Sequence, residues 1–346
     1  MSSAVWNTAA AAAAWNTGNP KYSKTVQTFS NSIELEAASG DSVVMINPNN
    51  RYSLNILREN EDEWNLPAHH GYVRQCLLTK EMIVLVTRDK DLGLYLEVYD
   101  INTHSKVFDR KLKSYQSIFT DGSIILLCQY QCDYELINVK DQSTTFTFPS
   151  TKFKSNSILS ISSPHILCAA PHDVDVISVF NIDVSSKILS KKFEFDLDNM
   201  GTIIEGVFID QNVVLLHDDP DGALGALTVH NSSGDLVRKM EWHDVDAHLK
   251  PSWCYDYGKF VITFGTRSQL TETVLLFSVE DLFRDEKWDL VPRIFEFVKK
   301  GETNKDDPDN DDKDDDAVTV MNRTSIKRYR TVNESKSLEV EKLTFW

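Results

Sequence analysis

The chain has 346 residues, 41% hydrophobic and 25% charged, which is enough apolar content for a substantial core. Its net charge of −16 is uneven: residues 301–316 hold eight Asp and one Glu against two Lys, a net −7, leaving −9 spread over the rest. With no clustered cationic surface, this balance disfavours nucleic acid and anionic membranes as partners.

Residues 1–23 contain an unbroken alanine run, Ala9 to Ala14, between two copies of "WNT". So short a run does not make a stable isolated helix. No Lys or Arg precedes it, so it does not resemble a secretory signal. The expectation is a disordered leader over residues 1–23 and one domain over residues 24–346. No apolar run approaches the length of a membrane-spanning helix, and an intracellular location, cytoplasmic or nuclear, is expected.

From Thr25 the texture changes to short runs of Val, Ile, Leu, Phe and Tyr between turn residues, the signature of strands. TVQTFS, SIELEA, SVVMINP and YSLNILRE suggest a first four-stranded unit over Thr25 to Glu59. The clearest unit follows, with RQCLLT, EMIVLVTRD, LYLEVYD and KVFDRKL between Tyr72 and Leu112. Further units open near positions 114, 156, 202 and 250. A weak strand, a strongly apolar strand, a third strand and a more amphipathic fourth recur in that order. Four strands at a nearly constant spacing of this length indicate an all-β fold, a β-propeller of four-stranded antiparallel blades.

Residues 284–316 interrupt the pattern. PRIFEFVKK reads as an outer strand or a short helix, and residues 300–316 read as a solvated, disordered acidic loop, too Asp-dense to pack. Calcium binding there is disfavoured, since the central Gly and terminal Glu of a calcium loop are missing. AVTVMN, SIKRYRTV and SLEVEKLTFW close the chain, with Leu338 and Val340 facing opposite to Glu339 and Glu341. Counting both terminal segments gives seven blades, the expected number; sharing one blade between the chain ends would give six.

The segments LEVYDINTHSKVFDRKL and ALTVHNSSGDLVRKMEW resemble the hairpin between third and fourth strands of WD40-type propellers. Tyr99-Asp100 stands where that family commonly carries Trp-Asp, with Ile137-Asn138, Phe180-Asn181 and Phe277-Ser278 near the same place. The family's Gly-His pair is absent throughout, so the likeness is architectural. It implies a binding or scaffold role, of which receptor subunits of ubiquitin ligases are one form, although no F-box segment is visible.

Candidate chemistry is sparse. The five cysteines, an odd number, suggest buried thiols rather than a disulfide framework, and Cys128 and Cys132 lack the second ligand pair of a zinc site. The motif HDVD occurs at residues 172–175 and again at 243–246, the second copy near His248, but the copies fall at different phases of the repeat and read as turns rather than metal ligands. His217, Asp218, Asp219, Pro220, Asp221 and Gly222 form the densest polar cluster, and they too have turn composition. Arg323, Lys327, Arg328 and Arg330 are expected on a solvated strand face, and Trp242, Trp253 and Trp288 between blades. No catalytic, cofactor-binding or metal-binding residue is assigned, and no cofactor is expected. The reading is a non-enzymatic protein-interaction scaffold or adaptor subunit of an intracellular hetero-complex, with substrate recognition as one form of that role. The alternative is a propeller hydrolase or small-ligand binder using His217 and Asp218 at the central channel.

Overall fold

The computed structural model describes residues 20–345, leaving out 299–316, 284–292, 244–251 and several shorter stretches. Strand β1 is Lys21–Thr28. Four strands follow as β2 (Glu34–Ser39), β3 (Ser42–Asn47), β4 (Asn50–Arg58) and β5 (Trp64–Pro67), forming blade 1. Blade 2 is β6 (Tyr72–Leu78), β7 (Met82–Arg88), β8 (Leu94–Asp100) and β9 (Ser105–Leu112). Blade 3 is β10 (Ser117–Thr120), β11 (Ile124–Cys128), β12 (Tyr134–Asn138) and β13 (Ser143–Phe148). Blade 4 is β14 (Ile158–Ser162), β15 (His165–Ala170), β16 (Asp175–Asp183) and β17 (Ile188–Leu197). Blade 5 is β18 (Thr202–Ile209), β19 (Asn212–Asp218), β20 (Leu224–His230) and β21 (Leu236–His243). Blade 6 is β22 (Ser252–Asp256), β23 (Lys259–Gly265), β24 (Thr271–Ser278) and β25 (Arg293–Val298). The seventh sheet is β26 (Ala317–Met321), β27 (Ser325–Val332) and β28 (Ser337–Thr344), with β1 paired antiparallel to β28 as its outer strand.

The apolar runs are near-continuous because both faces of each blade are covered. In β11, Ile124, Leu126 and Cys128 pack toward blade 4, while Ile125 and Leu127 pack toward blade 2. Strand side chains alternate between faces, so burial of both requires a neighbour on each side. Seven apolar clusters fill the seven junctions between neighbouring sheets, including one between the seventh sheet and blade 1. The ring is therefore closed. First strands of adjacent blades touch one another, β2 with β6, β10 with β14, β14 with β18, β22 with β26 and β26 with β2, which places them around the axis. Last strands such as β1 and β17 are largely exposed at the periphery.

One turn chemistry recurs between third and fourth strands. Asp100 accepts hydrogen bonds from the N–H groups of Asn102 and Thr103, Asn138 from Lys140 and Asp141, and Asp183 from Ser185 and Ser186. Each turn spans the same length, since Asp100 pairs with Ser105, Asn138 with Ser143 and Asp183 with Ile188. A side chain that caps two backbone donors in this way replaces a turn made by the main chain alone. The residues before them, Tyr99, Ile137 and Ile182, are buried. In blade 4 the pair at the turn is thus Ile182-Asp183, further along the chain than the expected Phe180-Asn181.

Closure carries an unusual load of charge. On the face of the seventh sheet toward blade 6, Arg328 meets Glu341 at 3.3 Å and Arg330 meets Glu339 at 2.6 Å. Lys24 of β1 reaches Glu339 at 2.5 Å, and the Tyr22 hydroxyl donates to Glu341 at 2.8 Å. On the opposite face Lys327 bonds Asp41 and Glu59 of blade 1, and Lys342 bonds Glu59 at 2.6 Å. Burial alone would raise the Glu59 carboxyl, but the two lysines outweigh it and hold it below the usual carboxylate range.

Three expectations are corrected by the fold. TVQTFS belongs to the seventh sheet rather than to blade 1, and blade 1 takes β5 as its fourth strand. The first strand begins at Lys21, inside the stretch expected to be a leader, while residues 1–19 lie outside the described residues. Lys327, Arg328 and Arg330 are not on a solvated face: they are only 2%, 2% and 9% exposed, because the sheet is covered on both sides. PRIFEFVKK supplies the outer strand β25. Arg323 and the acidic stretch 300–316 fall outside the described residues.

Because Arg328 and Glu341 are both buried, removing Arg328 takes a facing opposite charge away from the Glu341 carboxylate. Arg328→Met is expected to lower unfolding free energy by about 3–5 kcal/mol in urea titrations, with the Arg328→Met/Glu341→Leu double variant recovering most of that loss.

Candidate functional site

The axis is the first place to look for a ligand site, since the inner strands of all blades converge there. A cavity of about 260 Å³ opens between β6, β10 and β14, lined by Leu77, Leu78, Ile118, Phe119, Thr120, Leu159, Ser160 and Ile161. Among the described residues its lining side chains are aliphatic and aromatic apart from the hydroxyls of Thr120 and Ser160, with no carboxylate or imidazole. The inner strand β18 contributes one perturbed acid, Glu205, pushed up to about 7 by burial.

His217 is away from the axis. It lies on β19, the second strand of blade 5, and is 1% exposed. Its Nε2 sits 2.7 Å from Thr228 Oγ1, and His230 Nε2 sits 3.1 Å from the same hydroxyl. His230 Nδ1 is 3.3 Å from the Gly234 carbonyl, and its ring stacks on Phe195 of blade 4. Burial, followed by the neighbouring His230 and Lys239, pushes the His217 imidazole down to about 4, so it is neutral at physiological pH. Thr228 is fully buried, so this histidine–hydroxyl pair is sealed from substrate and ties β19 to β20. His217 therefore does not sit at the channel, where the alternative reading required it. Residues 172–174, 219–222, 244–248 and 288 lie outside the described residues, as do the side chains of Asp175, Asp218, Trp242, His243 and Trp253; both HDVD motifs fall among them.

Cys76 and Cys128 are buried free thiols, Cys168 is buried, and burial pushes the Cys128 thiol up to about 12, which leaves it unreactive.

A polar cluster that the sequence did not single out lies at the junction of blades 1 and 2. Glu97 of β8 is fully buried, yet accepts from Thr87 Oγ1 at 2.5 Å, Tyr99 OH at 2.5 Å, His69 N at 2.9 Å and His70 N at 3.1 Å. Four donors compensate its desolvation. Two of them are backbone groups of the loop joining β5 to β6, so the carboxylate fixes that loop. Gly71 continues the loop at φ +134, where an added Cβ would lie 2.7 Å from the Arg88 carbonyl, so only glycine fits. The His70 ring stacks on Tyr95 at 3.9 Å, His69 meets it edge-on at 4.8 Å, and His70 Nε2 lies 3.3 Å from Asp109 Oδ2. Among the described residues, His69, His70 and Asp109 are the group whose ligand atoms converge, all within 4.8 Å. The sequence signal available was an acid inside an apolar strand, Glu97 in LYLEVYD.

At the surface of the same junction Tyr52 and Tyr72 are 59% and 37% exposed and meet edge to face at 6.3 Å. Arg51 lies 5.8 Å over the Tyr72 ring and bonds both Glu34 and Glu36.

The neutral state of His217 has a pH signature. Between about pH 6.5 and 4 the unfolded chain takes up a proton that the folded imidazole refuses, so stability falls as pH falls through that window. The loss at pH 5 relative to pH 8 is about 2 kcal/mol from this group. A His217→Gln variant, which keeps a hydrogen-bonding partner for Thr228, is expected to show a correspondingly smaller drop in urea midpoint over the same range.

No protein-family model matches the sequence, and the search among characterised proteins finds no relative. Solved structures do match. The WD40 domain of Toxoplasma gondii coronin aligns with a TM-score of 0.57 at 9% identity, over 95% of this chain and 87% of that one. The β-propeller domain of Vanderwaltozyma polyspora Nup133 aligns with a TM-score of 0.56 at 12% identity, over 94% and 100%. A chain of the mitotic checkpoint complex aligns with a TM-score of 0.55 at 10% identity, over 95% and 93%. These likenesses concern the fold: the chain is a β-propeller, similar in architecture to WD40 domains.

Proposed function

We propose that the protein is a non-enzymatic interaction scaffold, an adaptor subunit that holds other proteins together inside the cell. The observation that carries this reading is the exposed tyrosine pair, Tyr52 and Tyr72, at the junction of blades 1 and 2. Among the described residues, the side chains lining the cavity between β6, β10 and β14 include no nucleophile–base pair, and the buried His217–Thr228 pair is closed to substrate. The chemistry a partner could use is at this exposed pair, where Tyr52 and Tyr72 present phenol groups. Tyr and Arg dominate the energetics of protein interfaces because they combine large apolar area with hydrogen bonding. One structural neighbour is a chain of the mitotic checkpoint complex, which accords with the same mode of action. The described residues include no helix long and apolar enough to cross a membrane.

Tagged full-length protein purified from its native cells is expected to retain a stoichiometric protein partner. A Tyr52→Ala/Tyr72→Ala variant with unchanged thermal midpoint is expected to lose at least tenfold of that partner by quantitative mass spectrometry. Recovery of the chain alone, together with turnover of a small-molecule ester or glycoside panel, would overturn the scaffold reading.

A further inference from the structure

We propose that His69, His70 and Asp109 form a divalent transition-metal site of the zinc type, built between the β5–β6 loop and the outer strand β9. Two imidazoles and one carboxylate are a donor set suited to Zn²⁺, Ni²⁺ or Cu²⁺, with water completing the shell. The geometry is close to assembled. At Zn–ligand bonds of about 2.1 Å, two donors of a tetrahedral site sit about 3.4 Å apart, and His70 Nε2 to Asp109 Oδ2 is 3.3 Å. His69 is exposed, so a rotamer change can bring its ring in from within 4.8 Å.

The support around the donors is stronger than chance proximity of two histidines would give. Adjacent residues of an extended chain point to opposite sides; here the backbone is held out of that pattern by Glu97, which binds both of their N–H groups, and by the positive φ of Gly71. Tyr95 holds the plane of the His70 ring. Such outer contacts orient a ligand before the ion arrives. Without metal, the Lys106 ammonium bonds Asp109 Oδ2, so it competes with a cation for that oxygen. A bound ion would clip the loop after blade 1 to the periphery of blade 2, and would leave positions open to solvent on the His69 side.

The test uses full-length protein freed of metal by chelator dialysis. Calorimetric titration with Zn²⁺ is expected to show one equivalent bound, and Co²⁺ to give the visible absorption of a low-symmetry site. His70→Gln and Asp109→Asn should each weaken Zn²⁺ binding tenfold or more, while Cys132→Ser should leave it unchanged. Lys106→Met should tighten it by removing the competing ammonium. His69→Gln alters an exposed side chain and keeps the backbone bond to Glu97, so it reports on binding even if His70→Gln fails to fold. Zn²⁺ binding that survives in His69→Gln and Asp109→Asn, the absence of a stoichiometric site in the parent chain, or an unaltered affinity in Lys106→Met would overturn the proposal.

Discussion

Everything in this molecule depends on closing the ring. Each blade is apolar on both faces, so a blade at an open end would leave one of the seven junction clusters facing water. The pairing of β1 with β28 meets that demand by placing strands from both chain ends in one sheet. It also converts local hairpin stability into stability of the whole ring, since separating the chain ends exposes the clusters on either side of the seventh sheet.

The closing sheet is also where charge enters the interior. Arg328, Arg330, Glu339 and Glu341 occupy one face in cross-strand register, and Lys327 and Lys342 occupy the other, reaching Asp41 and Glu59. A slip of one residue between β27 and β28 would carry the charges of one strand to the opposite face, out of line with their partners and into apolar clusters. The ion pairs are thus matched to the observed register. They add little net stability compared with apolar side chains of the same size, because desolvation offsets their attraction.

A second polar device, Glu97, acts locally. One buried carboxylate joins β7, β8 and the loop between blades 1 and 2 through four donors. The loop in turn carries His69 and His70 toward Asp109. In blade 5, His217, Thr228 and His230 make a comparable buried chain, and desolvation lowers both imidazoles from their ordinary value. Both arrangements use polar groups to hold strands together rather than for chemistry at the axis.

The sequence by itself determined the strand periodicity, the four-strand phase of the units from Tyr72 onward and the turn residues Asp100 and Asn138, because these depend on side-chain alternation and on local backbone bonding. It also marked Leu338 and Val340 as facing away from Glu339 and Glu341, and the structure places them so. Only the tertiary structure decided that β1 leaves its neighbours in the chain to join the last sheet, since strand pairing between opposite ends of a chain has no local signature. The same holds for Lys327, Arg328 and Arg330, whose spacing suits a solvated face as well as a buried one; two covering blades made them interior. And the meeting of His69, His70 and Asp109 required β8 and β9 to fold beside a loop that precedes blade 2 in the chain, a proximity the hydrophobic pattern does not encode.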